Sequence, residues 1–307
     1  MEKLLAYVGG SERCGSTLLD LILNNSPHVQ SVGEVSRLCW YAQTNREPCT
    51  CGTPVSECEF WRRVEVEGCT ELGLRDGEPL LRTRETMLWP EHVGRLGTVA
   101  QKCLLVLGNR PLYLTAARVL TSRHHEACQN SLFWYEMLRR VTGCPIILDS
   151  SKDARRLKAL YLTDPQPFRL LHMVRDGRAI VASAMRRKNF DVLRATKAWV
   201  KITHSLRWVM RTVPERQVLR VHYESLCRDP HRTTERVCDF LQIPFDAEML
   251  TLRKHDAHNI GGNPMRFRKL ESQITLDEQW RRQLSAEDLA TFERLAGRWN
   301  RHLGYQD

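Results

Sequence analysis

Apolar and polar residues follow one another in ordered blocks near the start of the chain. Residues 3–8 (KLLAYV) form an apolar run of the length of a buried strand. A glycine-containing loop comes next, and apolar residues from Leu18 to Leu23 then recur with helical spacing. The polar stretch at 24–27 (NNSP) ends this predicted helix. The pattern therefore predicts a strand, a loop and a helix in succession.

The same alternation returns in the second half of the chain. Three strands, each running into a polar loop or a helix, are predicted within 144–153, 168–174 and 217–226. Helices are expected near 154–162 and over 230–242, and a further helix follows the strand at 168–174 and ends near 187. An amphipathic helix pair is expected from Trp280 to Trp299. Strands that alternate with helices predict an α/β fold: a P-loop-like parallel sheet with helices on both faces. Ligands of such sheets bind at the carboxyl ends of the strands.

Residues 35–145 do not continue the alternation of strands and helices that flanks them. A turn-rich stretch covers 49–61, and a helical apolar period runs through 110–141. We interpret this region as a mostly helical insertion on the sheet. The 307 residues suffice for one large α/β domain, and we treat 1–307 as a single domain.

The charge balance points to a negatively charged partner. The formal net charge is +10, while 42% hydrophobic and 27% charged residues are ordinary for a folded protein. A basic surface suits a nucleotide, a nucleic acid, an acidic peptide or a polyanionic glycan. No segment approaches the roughly 20 apolar residues of a membrane span, and the short N-terminal apolar run does not resemble a signal peptide. We therefore expect a cytoplasmic protein.

The loop at 10–17 reads GSERCGST, close to the nucleotide-binding pattern G-x-x-x-x-G-K-[S/T]. Ser16 stands where that pattern has lysine. The glycines and the following helix N-terminus still predict a cradle for an anion, and Arg13 brings a positive charge into it. A P-loop kinase or nucleotide triphosphatase remains an alternative, although it would lack the lysine.

A second anion site is predicted in VRDGRAIVAS (174–183). The strand delivers Arg175 to its carboxyl end, and Asp176 can cap the next helix. Ser183 follows about two turns along that helix, and Arg178 adds charge.

Taken together, the two stretches resemble the sulfotransferase superfamily, whose members take a sulfuryl group from 3′-phosphoadenylyl sulfate (PAPS). GSERCGSTLL is similar to that family's 5′-phosphosulfate loop, and VRDGRAIVAS to its 3′-phosphate motif, about 160 residues later. Bacterial and tyrosylprotein sulfotransferases are closest in these motifs. The resemblance implies transfer of the sulfuryl group to a hydroxyl or amine by in-line displacement, with PAPS as donor and no metal required.

The resemblance also assigns roles to individual residues. The 5′-phosphosulfate would be bound by Arg13, Cys14, Gly15, Ser16, Thr17 and Leu18. Arg175 and Ser183 would bind the 3′-phosphate, and Tyr223 would lie near the adenine. Arg266, in the loop GGNPMRF, matches the family's C-terminal cofactor lid, so 255–307 would form lid loop and helices.

Three residues are assigned to catalysis. Arg13 and Lys152 would stabilise charge on the transferred group and the leaving oxygen, by the same resemblance. Glu34, in SVGEVSR, matches the glutamate of the family's G-E stretch and is our candidate general base. A capping or surface role for Glu34 is the alternative. The K-x-H base of cytosolic members has no counterpart here.

Three closely spaced cysteines, Cys49, Cys51 and Cys58, suggest half of a zinc site. Cys69 is a distant fourth, and no second C-x-C or H-x₃-H pair accompanies them. We therefore expect no metal and interpret the stretch as a disulfide-linked or reduced turn.

The acceptor is expected to be a small molecule, glycan or peptide carrying a hydroxyl, with the insertion at 35–145 on the acceptor side. A basic nucleic-acid-binding module is the non-enzymatic alternative. Only 7% of residues are aromatic and the arginines are dispersed, which disfavours a nucleic-acid partner. The sequence gives no indication of oligomeric state.

Overall fold

The computed structural model describes most of the chain, and all structural statements below concern the described part. It comprises residues 2–88, 99–100, 103–104, 110–120, 122–164, 167–251, 257–267 and 274–306.

A five-stranded parallel sheet forms the centre of the fold. Its strands are β1 (Leu4–Gly9), β2 (Val29–Gly33), β3 (Ile146–Lys152), β4 (Phe168–Val174) and β5 (Val218–His222). Their spatial order is β2-β3-β1-β4-β5, and every neighbouring pair is parallel. The predicted α/β class with a central parallel sheet is confirmed.

Helices fill the connections between the strands and the part of the chain after β5. They are α1 (Ser16–Leu23), α2 (Leu38–Thr44), α3 (Glu59–Glu71), α4 (Leu80–Thr83), α5 (Arg110–Leu120), α6 (Ser122–Thr142), α7 (Ala154–Thr163), α8 (Gly177–Lys188), α9 (Val192–Met210), α10 (Tyr223–Arg228), α11 (Pro230–Leu241), α12 (Trp280–Gln283) and α13 (Ala286–His302). Short 3₁₀ turns lie at Val35–Arg37, Glu215–Gln217, Ala247–Leu250 and Pro264–Phe267. The predicted helical character of 35–145 is confirmed where that region is described, and its residues 89–98, 101–102, 105–109 and 121 lie outside the described residues.

Alternate residues of β1 enter two different cores, as expected for a strand covered on both faces. Leu5 and Tyr7 pack with side chains from α2, α3, α6, α7 and α9. Ala6 and Val8 pack with side chains from α1, α10 and α11. The sheet is thus a middle layer between two groups of helices.

The strand order creates a crevice above β1. From β1 the chain goes outward to β2 and returns through β3, whereas the next strand, β4, lies on the opposite side of β1. Connections that leave in opposite directions separate the loops at the carboxyl ends of the strands, which is where open α/β sheets bind ligands. The loops after β1, β3 and β4 therefore share one site.

Two elements were not predicted from the sequence. Strand β2, VQSVG, is short and mixes polar with apolar residues, so it gives no strong strand pattern. Helix α9 spans Val192–Met210 in a stretch that the sequence analysis left unassigned. Among the described residues, no helix combines the length and the apolar character needed to cross a membrane.

A buried ion pair connects β3 to α7. Arg156 donates to the Asp149 carboxylate (Nε–Oδ2 3.4 Å), to the Thr86 carbonyl and to the Tyr135 hydroxyl. The Tyr135 hydroxyl in turn donates to Asp149, whose other oxygen accepts the Ser151 amide. Because Asp149 is fully buried and engaged in this network, it is not placed to hold a metal ion at the loop. This disfavours the kinase or triphosphatase alternative, because such an enzyme needs a carboxylate at the end of a buried strand to hold magnesium at the loop.

Replacing Arg156 with methionine should destabilise the fold strongly. The change leaves the Asp149 charge buried without its partner, which costs about 3–5 kcal/mol of unfolding free energy. Urea denaturation followed by circular dichroism measures this difference. Arg155→Met is the matched control, because Arg155 is exposed and pairs with Asp153 at the surface. It should cost less than about 1 kcal/mol. Equal losses in the two variants would contradict the role given to Arg156.

Candidate active site

The loop after β1 turns sharply into α1. Arg13 and Gly15 both have positive φ, 68° and 96°. A Cβ added to Gly15 would lie 2.5 Å from Cδ2 of Tyr223, so only glycine fits this position without a shift of neighbouring atoms. The loop is therefore held against the start of α10.

The N-terminus of α1 is open towards the crevice. Gly15 occupies the N-cap position and no side chain caps the helix. The first-turn amides, including those of Ser16 and Thr17, are the groups that bind anions at helix N-termini. The side chains of Cys14 and Leu18 are buried in the core, so these two predicted ligands could contribute only through their backbone N–H groups.

Arg13 lies in a strongly cationic environment. Its side chain is partly buried, and burial together with the nearby Arg187 lowers the pKa of its guanidinium. Arg186 and Arg175 act in the same direction. Positive charges gathered at a helix N-terminus favour a bound anion.

Arg175 connects the loop to three other elements. It is buried at the carboxyl end of β4 and donates to the Arg13 carbonyl at 3.2 Å. It also pairs with Asp277 (Nη2–Oδ2 3.1 Å) and lies 4.3 Å from the ring centre of Tyr223. Its buried Nε has no hydrogen-bond partner among the described residues. The guanidinium is fixed in place with its Nε–H left for a ligand.

Ser183 is buried on α8, the helix that begins just after Arg175. Asp176 caps this helix by accepting the Arg178 amide. The Arg178 side chain is bound to the Asp176 carboxylate at 2.8 Å. Arg178 therefore holds the turn through Asp176. The sequence analysis had instead predicted that it adds positive charge to the anion site.

Tyr223 fills the space between the two predicted anion sites. Its ring contacts the Gly15 position on one side and the Arg175 guanidinium on the other. Its hydroxyl accepts the Asp277 amide at 3.3 Å, and burial raises the pKa of Tyr223 to about 12. The structure thus brings Arg13, Arg175 and Tyr223 together across about 210 residues of sequence.

Lys152 and Glu34 form an ion pair beside the loop after β1. The distance from Lys152 Nζ to Glu34 Oε1 is 2.8 Å, and Lys152 is in register with Gly9, where the loop begins. Burial by itself would lower the pKa of Lys152, but the Glu34 carboxylate raises it above its usual value. Lys152 is therefore a fixed cation beside the loop.

The backbone around Glu34 is held by the segment after His258. The Glu34 amide donates to the Ile260 carbonyl at 2.7 Å, and the Ile260 amide donates to Val32. A Cβ on Gly33, where φ is 72°, would lie 2.2 Å from the Ile260 oxygen. Glycine at position 33 allows this close approach.

Arg266 is buried in the 3₁₀ turn Pro264–Phe267, near the start of α1. It is 2% exposed and donates through Nη2 to Glu47 and to the Pro48 carbonyl. Its Nε and Nη1 have no hydrogen-bond partner among the described residues. The adjoining Asn263 amide donates to the Thr17 hydroxyl at 3.3 Å. The segment carrying Arg266 therefore lies against the start of α1.

Two residues of this region were missed by the sequence analysis. Asp277 pairs with Arg175 but belongs to a loop without a motif. Asp20, on the buried face of α1, accepts a hydrogen bond from Ser150 at 2.7 Å, and burial raises its pKa to about 7. A carboxylate inside the apolar run at 18–23 was the available signal for Asp20.

Comparisons with known proteins match this chain to sulfotransferases. Residues 112–247 match the family model described as Sulfotransferase family, a range that includes Lys152, Arg175, Ser183 and Tyr223. Protein-tyrosine sulfotransferase A of Caenorhabditis elegans is 33% identical over 109 residues, which cover 33% of this chain. The matched part is 29% of that relative's length.

Two solved structures share the fold over nearly the whole chain. The sulfotransferase domain of the Synechococcus PCC 7002 olefin synthase has a TM-score of 0.59 and 22% identity, covering 100% of this chain and 96% of its own. The sulfotransferase domain from the curacin biosynthetic pathway has a TM-score of 0.53 and 16% identity, with coverage of 97% and 98%. Both neighbours share the α/β fold of this chain, and the family match over 112–247 and the partial relative are both to sulfotransferases.

Proposed function

We propose that this protein transfers a sulfuryl group from PAPS to a hydroxyl group of an acceptor. The observation that carries the proposal is the convergence of Arg13, Arg175 and Tyr223 at the open N-terminus of α1. The sulfotransferase family match over 112–247 supports sulfuryl transfer as the reaction.

Several features of the crevice fit a nucleotide with phosphate groups at both ends of its ribose. The glycine loop and first-turn amides of α1 suit the 5′ side, with Arg13 as the nearby cation. Arg175, which has an unpartnered buried Nε, and Ser183 suit a 3′-phosphate. Arg266 offers two further unpartnered donors from the lid segment. Tyr223 packs between these sites and suits contact with the adenine ring.

The chain's own residues supply what a sulfuryl transfer needs. When bound, PAPS would supply the sulfuryl group and leave as adenosine 3′,5′-bisphosphate. Lys152 holds a positive charge beside the loop, where it would stabilise the leaving oxygen. Glu34 would take the proton of the acceptor hydroxyl. Their 2.8 Å ion pair keeps the cation and the base side by side.

The acceptor is proposed to enter from the side of 35–145. Residues directly after Glu34 form a 3₁₀ turn and α2, where the ring centre of the half-buried Trp40 lies 5.9 Å from the Arg37 guanidinium and 5.7 Å from that of Arg46. An aromatic ring flanked by cations suits a flat or acidic acceptor. The C. elegans relative is named for protein tyrosine, so tyrosine-containing peptides belong among the acceptors to be tried.

Isothermal titration with two nucleotides tests the donor site. Adenosine 3′,5′-bisphosphate should bind more tightly than 5′-AMP, because only the former has a 3′-phosphate for Arg175 and Ser183. Arg175→Ala should weaken the bisphosphate by about 10- to 150-fold, equivalent to about 1.5–3 kcal/mol for a hydrogen bond to a charged group. The same variant should change 5′-AMP binding little, whereas Arg13→Ala should weaken both.

Two controls accompany this titration. Ser183→Ala removes only a hydroxyl and should also weaken the bisphosphate selectively. Arg232→Ala removes an exposed arginine of α11 and should leave both affinities unchanged. Equal binding of the two nucleotides to the parent protein would contradict the 3′-phosphate site. Magnesium-dependent ATP turnover that persists in Arg175→Ala would favour a kinase or triphosphatase.

Glu34→Gln tests the proposed base. The amide keeps the size of the side chain and can still accept from Lys152, but it cannot take up a proton. With labelled PAPS and an active acceptor, kcat should fall by about 10²–10⁴-fold, and bisphosphate affinity should stay unchanged. Glu235→Gln, an exposed glutamate of α11, should retain full turnover. Full activity of Glu34→Gln would place the base elsewhere.

A further inference from the structure

A cluster of three thiols and one imidazole lies at the start of the segment 257–267, which carries Arg266. The Sγ atoms of Cys49, Cys51 and Cys58 and a ring nitrogen of His258 all lie within 4.8 Å of one another. His258 is 200 residues beyond Cys58, so the fold supplies the fourth ligand that the sequence pattern lacked.

The distances within the cluster suit a tetrahedral metal ion. His258 Nδ1 lies 3.4 Å from Cys58 Sγ and 3.6 Å from Cys49 Sγ, and the Sγ atoms of Cys51 and Cys58 are 3.5 Å apart. In a regular tetrahedron, Zn–S bonds of about 2.3 Å and Zn–N bonds of about 2.0 Å give edges of about 3.5–3.8 Å between ligand atoms. These separations therefore require little movement to accept zinc.

Both chain segments hold their ligands in place. The cysteine turn is closed by the Cys49 amide donating to Thr53 and the Gly52 amide donating to Cys49. The His258 ring stacks on Phe60 with centroids 4.5 Å apart, and Trp61 donates to the His258 carbonyl at 3.1 Å. The site is thus positioned by packing and hydrogen bonds outside the four ligand atoms.

The burial pattern allows an ion to enter. Cys49 and Cys58 are buried, whereas Cys51 is exposed and His258 is partly exposed. A cation can approach from the Cys51 side and be enclosed by the other ligands. Three thiolates and a neutral imidazole form a soft ligand set of the kind that zinc occupies in structural sites.

We propose that Cys49, Cys51, Cys58 and His258 bind one structural zinc ion. On binding, each cysteine releases its thiol proton to solvent, and the neutral imidazole binds through Nδ1. All four ligands come from the protein, so the site is closed, as structural zinc sites are. This replaces our expectation of a metal-free turn.

The ion would fix the segment that shapes the neighbouring active site. Directly after His258, the Asn259 carbonyl accepts the amide and hydroxyl of Thr50. Ile260 then holds the backbone of Glu34, and Asn263 contacts Thr17. Zinc would thereby join the turn at 49–58 to the segment that carries Arg266.

Metal analysis of the purified full chain tests the site without donor or acceptor. Protein prepared with zinc and under reducing conditions should contain one zinc per chain by inductively coupled plasma mass spectrometry. Cys58→Ser and His258→Ala should each lower zinc content at least tenfold. Cys144→Ser and His231→Ala make the same changes outside the cluster and should retain one zinc. Zinc content near zero in the parent protein, or unchanged in both cluster variants, would overturn the proposal.

A second measurement needs no variant and covers the case in which the variants do not fold. Zinc-depleted parent protein titrated with Co²⁺ should develop visible bands of tetrahedral cobalt and a thiolate-to-cobalt charge-transfer band, saturating at one equivalent. A Cys51–Cys58 disulfide found by mass spectrometry in the reduced preparation, or no cobalt spectrum, would overturn the proposal. Neither result bears on nucleotide binding, so this test is separate from that of sulfuryl transfer.

Discussion

The position of β1 between β3 and β4 is the constraint on which the site depends. Because all strands are parallel, the loops after these three strands emerge at the same edge of the sheet. The loop after β1 presents the amides of α1, β3 ends at Lys152, and β4 delivers Arg175. A fold that connected the strands in another order would separate these cations. The site is therefore a consequence of topology before it is one of individual contacts.

Burial then decides what the gathered cations can do. Arg175 and Arg266 are almost completely removed from water, yet each keeps donors without a protein partner in the described part of the chain. Such groups cost free energy unless a ligand satisfies them. Lys152 differs, since Glu34 neutralises it at 2.8 Å and fixes its position. The unpartnered donors of Arg175 and Arg266 favour an incoming anion. The Lys152–Glu34 pair keeps a cation and a carboxylate beside that anion.

The sequence predicted the parts of the site that are local in the chain. The glycine loop, Arg175 and the strand ends carry recognisable patterns within ten residues, and the structure brings the loop and Arg175 into contact. Contacts between distant segments could not be predicted in this way. Asp277 and His258 belong to loops without periodicity, and their partners lie 102 and 200 residues away. Strand β2 was missed because VQSVG is short and shows no clear alternation.

A crystal structure of the protein with adenosine 3′,5′-bisphosphate would show whether the loop after β1 and Arg175 form one nucleotide site. We expect the 5′-phosphate at the amides of residues 13–17, the 3′-phosphate on Arg175 and Ser183, and the adenine near Tyr223. We also expect Arg266 to turn its free donors towards the 5′ side. A nucleotide bound away from α1, or one whose 3′-phosphate does not contact Arg175, would contradict the account.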